Sequence, residues 1–443
     1  MDSDDESSSS SFSDSAASRM DVDDGISYEE PGPLHNADEE LFNDVWQEIA
    51  ENDPVTTALN LYGGENYVQN IITLDWLRLG RDISNNTHLT EAILYGGALN
   101  DEKMSFFFRG LTKSSSIAEM YLYSNGFSVA GVRSMVPFLQ NATNLMHLDL
   151  NDNNLRSDGF IELCRALSDS PIVELHCDRC GIESIEIGND CFPKQLLELH
   201  LRSNNINVDG CRELAKLLQG GSAILVRLYL EDNNIDDEGV GILVDGLRNN
   251  TSLDSLDLRS NNGISTHGQV MLLRLVNDIS SIKATFQSNH KLMCLNVNFS
   301  NAGQHIQTHI DQAVGINEEE DNPAAAARAK VIKSQLHSGV RAELADLQGV
   351  SQSVYSEINP LHLPEVIALV GKNHGQGELY AALKSSIAGV ISTVNRKQCL
   401  QQEKAYYNAK IAEYRAKVEE VEAELATIDA VEGNAGAMGS ETQ

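Results

Sequence analysis

Long apolar runs are missing from these 443 residues. No stretch approaches the roughly 18 consecutive apolar side chains that a membrane-crossing helix needs, so none is expected. Residues Met1 to Ser11 are acidic and serine-rich where an export signal carries a basic start and an apolar run, and they read as no such signal. Positive charge is scarce too, with 32 Lys and Arg against 65 Asp and Glu and a formal charge of −33. Without a basic stripe there is no counterion release to gain from a phosphate backbone, and the same deficit disfavours anionic bilayers, so neither nucleic acid nor membrane is an expected partner. Phosphate-binding G-x-x-x-x-G-K-[ST] loops, H-E-x-x-H helices and G-x-S-x-G elbows are all missing, and the chain reads as a non-enzyme without a cofactor. The seven cysteines (Cys164, Cys177, Cys180, Cys191, Cys211, Cys294, Cys399) are odd in number and lack the spacing of a disulfide framework. They suit free thiols in a reducing compartment, which makes the cytoplasm the expected location, with the nucleus also open.

The charge that is present is uneven. Residues 1–53 hold seventeen acidic residues against the single Arg19, about half of the total excess. Residues 1–37 combine this charge with serine runs and too little apolar content to offset chain entropy, which predicts a disordered acidic tail whose Ser3 and Ser13 suit an acid-directed kinase. Over 38–55, Leu41, Phe42, Val45, Trp46 and Ile49 share one helical face, as a capping helix requires.

Self-similarity then dominates. The pattern L-x-x-L-x-L-x-x-N-x-L is met by Leu145, Leu148, Leu150, Asn153 and Leu155, and again by Leu196, Leu199, Leu201, Asn204 and Ile206. Looser copies start at Leu89, Ile117, Ile172, Leu225 and Leu253, so successive starts lie 28, 28, 27, 24, 29 and 28 residues apart. Gly131, Gly159, Gly210 and Gly239 each fall 14 residues after their unit's start, and Gly268 one later. Alternating apolar residues make a short strand with one face inward. Asn125, Asn153, Asn204, Asn233 and Asn261 then form a stack whose amides satisfy main-chain groups left open where strands end. Helical spacing follows in each unit, for example Leu214, Leu217 and Leu218. Ile172 to Gln195 is short, lacks the glycine and contains Pro193, so its outer helix is expected to be a loop that disturbs the regular curvature. This pattern, over 56–300, resembles the ribonuclease-inhibitor-like leucine-rich-repeat family. The resemblance implies an α/β horseshoe solenoid of about eight repeats, with parallel strands inside and helices outside.

Beyond the repeats, 301–321 reads as a linker and 322–395 as an α-helical module. Its first helix is capped by Asn322, carries Pro323 at its first position and is predicted to run to about Leu347. The stretch Pro360 to Tyr380 resembles a C-terminal extension found in uncharacterised leucine-rich-repeat proteins of unicellular algae, which brings no activity with it. Over 396–430 the apolar spacing becomes 4-3-4-3 through Leu400, Tyr407, Ile411, Tyr414, Val418, Val421, Leu425 and Ile428, interrupted at Lys404. That spacing predicts a C-terminal coiled coil able to pair two chains. Residues 431–443 read as a loose tail.

Binding residues are expected on the concave strand face. In the position after the third core residue the units present Tyr62, Tyr95, Tyr123, Asn151, Asp178, Arg202, Glu231 and Arg259. Two positions earlier stand Asn60, Ile93, Tyr121, Asp149, His176, His200, Tyr229 and Asp257. Tyr62, Ile93, Tyr95, Tyr121 and Tyr123 therefore gather at a strand pitch of about 4.8 Å, and exposed tyrosines offer large contact area with a polar tip. Aromatic residues also favour sheets for their own sake. Asp149, His176 and His200 share a column beside Asp178, donor types that hold divalent metals, but polar concave faces are the rule and no metal is expected. Cys177-x-x-Cys180 replaces a core Leu and the turn Asn, a packing choice in this register. The reading is a non-enzymatic scaffold or adaptor that binds a protein through Tyr62, Ile93, Tyr95, Tyr121, Tyr123, Asp149, His176, His200, Arg202 and Tyr229, and that pairs through its coiled coil. The second reading is GTPase activation of the Ran GTPase-activating type, whose family combines these repeats with an acidic segment placed after them.

Overall fold

The computed structural model describes residues 37–185, 191–219, 224–297, 304–320, 322–350, 404–412, 414–419 and 421–422. Nine strands, β1 (Ala58–Tyr62), β2 (Glu91–Tyr95), β3 (Glu119–Tyr121), β4 (His147–Asp149), β5 (Glu174–His176), β6 (Glu198–His200), β7 (Arg227–Tyr229), β8 (Ser255–Asp257) and β9 (Cys294–Asn296), form one sheet in chain order. Every neighbouring pair is parallel. β1 and β9 come from segments before and after the seven regular copies of the sequence pattern, so each end of the sheet gains a strand.

Helices alternate with the strands: α1 (Ala37–Glu51), α2 (Asn66–Asn70), α3 (Thr73–Asn85), α4 (Asp101–Gly110), α5 (Val129–Asn141), α6 (Arg156–Leu167), α7 (Val208–Gln219), α8 (Asp237–Leu247), α9 (Thr266–Val276) and α10 (Ile282–Phe286). After β9 come α11 (Gln304–Glu319), α12 (Pro323–Lys330), a π-helical turn (Val331–Gln335) and α13 (Ser338–Gln348).

Register explains the core. Leu148, Leu175, Leu199, Leu228, Leu256 and Leu295 pair from strand to strand and are buried, as are Leu150, Leu201, Leu230 and Leu258 two residues on. Period-two alternation sends these side chains toward the helices and leaves their neighbours on the opposite, concave side. The asparagine stack forms as predicted. Asn233 Nδ2 donates to Leu201 O (2.9 Å) and Leu230 O (3.1 Å), while its Oδ1 accepts from Ile206 N (3.0 Å). Asn125, Asn153, Asn204 and Asn261 repeat the arrangement. Just before each rung, Ser124, Asp152, Arg179, Ser203, Asp232 and Ser260 turn the chain with φ between 51° and 59°.

The recurrent glycine sits in the first turn of its helix, hard against the preceding residues. A Cβ at Gly210 would meet Ile206 Cγ2 at 2.7 Å, so only glycine lets that turn close. Asp101 and Asp237 cap the helix of the next unit, Asp237 Oδ1 accepting from Ser265 N (2.8 Å) and Gly268 N (3.0 Å). Between β5 and β6 no α-helix is present among the described residues, as the short unit predicts, yet Glu174, Leu175 and His176 still pair with Glu198, Leu199 and His200. The sheet register therefore runs through the shortened unit.

At the N-terminal end α1 buries Phe42 and Ile49, and Trp46 Nε1 donates to Asp82 Oδ2 (2.9 Å) on α3. At the C-terminal end the structure departs from the sequence reading. The expected linker 301–321 contains α11, which buries Ile306, Ile310 and Val314 against the last unit. Its buried face also carries His309 and Asn317, which hide the apolar period. Asn322 caps α12 by accepting from Ala325 N (3.0 Å), but the helix does not run on to Leu347. It widens into the π turn and restarts at α13, where His337 Nδ1 accepts from Val340 N (3.2 Å). Lys330 Nζ donates to Val276 O (2.6 Å), Arg341 Nη1 to Ile279 O (3.1 Å) and Gln348 Nε2 to Asn277 O (2.8 Å). These long polar side chains reach the main-chain carbonyls left open beyond α9.

Residues 404–412 and 414–419 are helical, with Tyr407, Ile411, Tyr414 and Val418 exposed along them. The expected acidic tail, the rest of the helical module including the alga-like stretch, and the loose C-terminal tail lie outside the described residues. No helix among the described residues is long and apolar enough to cross a membrane.

Candidate functional site

The strand residues that flank the core leucines build the concave face in columns. One begins with the tyrosines after the third core position. Tyr62 stacks on Tyr95 (ring centroids 5.0 Å, 27° between planes), and Tyr95 on Tyr123 (4.8 Å, 26°). Parallel register imposes this, since Tyr62 pairs with Tyr95 and Ile93 with Tyr121. Tyr62, Ile93, Tyr95, Tyr121 and Tyr123 are thus brought together as expected, with Tyr95 almost wholly covered and the others half-buried. Burial, with Tyr95 and Asp149 nearby, pushes the Tyr123 hydroxyl up to about 12, and burial, Tyr62 and Glu65 raise that of Tyr95. Tyr121 Oη donates to Glu119 Oε2 (2.8 Å); burial first and that carboxylate second raise its pKa as well. All three phenols therefore stay protonated donors around neutrality.

In the middle of the sheet the rings continue, but along a different line. Tyr121 lies 4.8 Å from His147, His147 4.8 Å from His176, His176 3.8 Å from His200 and His200 4.1 Å from Tyr229, all between centroids. The imidazoles face glutamates. His147 Nδ1 lies 3.3 Å from Glu174 Oε2, His176 Nε2 2.7 Å from Glu174 Oε1, and His200 Nε2 2.9 Å from Glu198 Oε1. Hydrogen bonds from His147 and then His176 hold the Glu174 carboxyl well below the usual carboxylate range.

One sequence expectation is corrected here. Asp149, placed among the binding residues, is fully buried in the floor of the face, where its Oδ1 accepts from Asn151 N (2.8 Å). Asp149, His176 and His200 do fall in one column, but Asp178 Oδ1 accepts from Arg202 N (2.7 Å) and the histidines turn to Glu174 and Glu198. Sequence reading missed the column that pairs Glu91, Glu119, His147, Glu174, Glu198, Arg227 and Ser255. Its signal was available, since each of these residues directly precedes a core residue of its strand and alternation puts it on the concave side.

Toward the C-terminal end the face becomes ionic. Arg202 pairs with Glu231, and Arg259 bridges Glu231 (3.2 Å) and Asp257 (2.8 Å). The two carboxylates are buried while both guanidinium groups reach the surface. Cys177 and Cys180 are buried, and Cys180 Sγ donates to Leu150 O (3.2 Å) in the place of the turn asparagine. Burial raises the Cys177 thiol well above its ordinary range, as a packing role requires.

No family model matches the chain. Among curated proteins it is 28% identical to mouse ribonuclease inhibitor over 169 residues, 37% of each chain, and 28% identical to the pig ribonuclease inhibitor over 201 residues, 43% of each. It is also 28% identical to human NACHT, LRR and PYD domains-containing protein 14 over 196 residues, 43% of this chain and 18% of that one. The matches therefore span less than half the length of these relatives. Among solved structures, the yeast complex of Rad7 and Elc1 aligns over 52% of this chain and 56% of that one, at 17% identity and a TM-score of 0.36. The sheet of parallel strands, the asparagine rungs and these relatives agree: the chain is a leucine-rich-repeat, ribonuclease-inhibitor-like protein.

Proposed function

We propose that this chain is a protein-interaction scaffold whose concave face grips a protein partner, without catalysing a reaction. The observation that carries the reading is the five-residue cluster of Tyr62, Ile93, Tyr95, Tyr121 and Tyr123 on a parallel sheet. Stacking on the covered Tyr95 orders Tyr62 and Tyr123, so a partner that buries these half-exposed rings pays little rotamer entropy, and the protonated hydroxyls supply directional hydrogen bonds. His200, Arg202 and Tyr229 extend the contact toward the ionic end, where surface guanidinium groups favour acidic or carbonyl-rich partner segments. The exposed stripe of Tyr407, Ile411, Tyr414 and Val418 supports pairing of two chains through this helix, which would double the number of concave faces and add avidity.

The test is chemical cross-linking in cell extract followed by mass spectrometry, comparing the native chain with one carrying Tyr95→Ser and Tyr123→Ser. Loss of the cross-linked partner, with unfolding still cooperative, is the expected result. Undiminished capture by a folded variant overturns the assignment. Size exclusion with light scattering tests pairing: a dimer that Ile411→Asp and Val418→Asp convert to monomer is expected, and a monomeric native chain at tens of micromolar removes it.

A further inference from the structure

We infer that the middle of the concave face binds one divalent transition-metal ion, held by His147, Glu174 and His176, with Glu198 and His200 as adjoining donors. The ligand atoms of the first three lie within 4.8 Å of one another, and so do those of Glu174, Glu198 and His200, so the two sets share a carboxylate. They come from three consecutive strands of a hydrogen-bonded sheet, β4, β5 and β6, which fixes their backbones.

Geometry and chemistry agree with an ion of the zinc class. A tetrahedral ion with bonds of about 2.0–2.2 Å to imidazole nitrogen and carboxylate oxygen keeps neighbouring donors roughly 3.4 Å apart. The nitrogen-to-oxygen distances here are 3.3 Å for His147 and 2.7 Å for His176, and all three donor atoms lie within 4.8 Å of one another, close enough for side-chain rotation to bring them round one ion. Two imidazoles and a carboxylate suit zinc, cobalt or nickel, where calcium and magnesium take all-oxygen shells.

One further observation points to a cation. The surrounding column is negative: Glu91, Glu119, Glu174 and Glu198 stand on successive strands around His147, and Arg227 is the first cation reached. Cys177 and Cys180 do not compete, because alternation turns Cys177 to the core side, both thiols are buried, and Cys180 Sγ is engaged by main-chain carbonyls.

The experiment uses the full chain without an affinity tag, titrated with zinc by calorimetry and with cobalt by visible absorption. One ion per chain is expected, with cobalt bands of nitrogen and oxygen coordination and no thiolate charge-transfer band. His176→Asn and Glu174→Gln, each checked for native circular dichroism, are expected to weaken binding on the order of tenfold or more. No binding by the native chain, a thiolate band, or unchanged affinity in both folded variants overturns the site. If the variants fail to fold, zinc-edge X-ray absorption of the native chain decides: imidazole scattering supports the site, and a shell of oxygen or sulfur alone refutes it.

Discussion

The two ends of this sheet are closed by different mixtures of apolar and polar contacts. At the N-terminal end α1 lays Phe42 and Ile49 onto the first units, and the adjoining face carries stacked tyrosines. At the C-terminal end Lys330, Arg341 and Gln348 are buried to reach carbonyls beyond α9, and the adjoining face carries the pairs of Arg202, Glu231, Arg259 and Asp257. The reason lies in what each lid must cover. An apolar flank asks only for area, whereas main-chain oxygens left open past a helix end must each receive a donor once water is excluded. Both ends therefore have apolar cover, α11 supplying Ile306, Ile310 and Val314 at the C-terminal end, but that end adds directed hydrogen bonds, and the two respond to different perturbations.

The largest expected effect breaks the apolar lid. Ile49→Ala removes a fully buried side chain and should destabilise the chain by roughly 2–5 kcal/mol, seen as a lower urea midpoint with exchange of α1 and α3 amides accelerating first. The polar lid should respond instead to pH. Burial pushes Lys330 down to about 7 from an ordinary value near 10.5, so the unfolded chain binds more protons in that window and stability rises with pH between the two, by a few kcal/mol in total. His290, pushed down to about 4 by burial and then by Lys330, adds stability that is lost as pH falls from about 6.5 through 4. Thermal unfolding of the native chain against Lys330→Met from pH 7 to 10 checks the sign, since the variant should lose the upper slope. Smaller again is the tyrosine stack. Tyr62→Leu keeps apolar area but loses ring stacking on Tyr95, worth about 0.5–1.5 kcal/mol in denaturant titration. Smallest is salt: 1 M sodium chloride should shift the exposed arginine pairs by less than about 1 kcal/mol and leave the tyrosine end unmoved, as hydrogen exchange of β7 and β8 against β1 and β2 would show.

Much of this was legible because a repeat states its own register. Leu148, Leu199 and their equivalents identified the buried column, Asn204 and Asn233 the rungs, and Tyr62, Tyr95 and Tyr123 the stacked face, since parallel strands place equal positions side by side. Other features were hidden for stated reasons. Asp149 occupies an outward column but is drawn to the Asn151 amide, and sequence position does not say whether a carboxylate points to water or to its own backbone. His147, Glu174 and Glu198 share one column while His176 and His200 stand in another, so no single column contains the cluster. Around α11 and α13 the buried residues include His309, Asn317, Arg341 and Gln348, so an apolar period understates what packs there. Lys330 meets Val276 across 54 positions, a contact that no local pattern encodes.

The asparagine stack has a consequence for how this molecule comes apart. Each rung grips its own turn and the one before it, which couples neighbouring units into a cooperative whole. At Cys180 the rung is a thiol that donates to Leu150 O and Asp178 O but offers no amide oxygen in return, and the unit it belongs to has no outer α-helix among the described residues. Cooperativity is weakest there, so partial unfolding should divide the solenoid at that seam, freeing one half while the other stays folded.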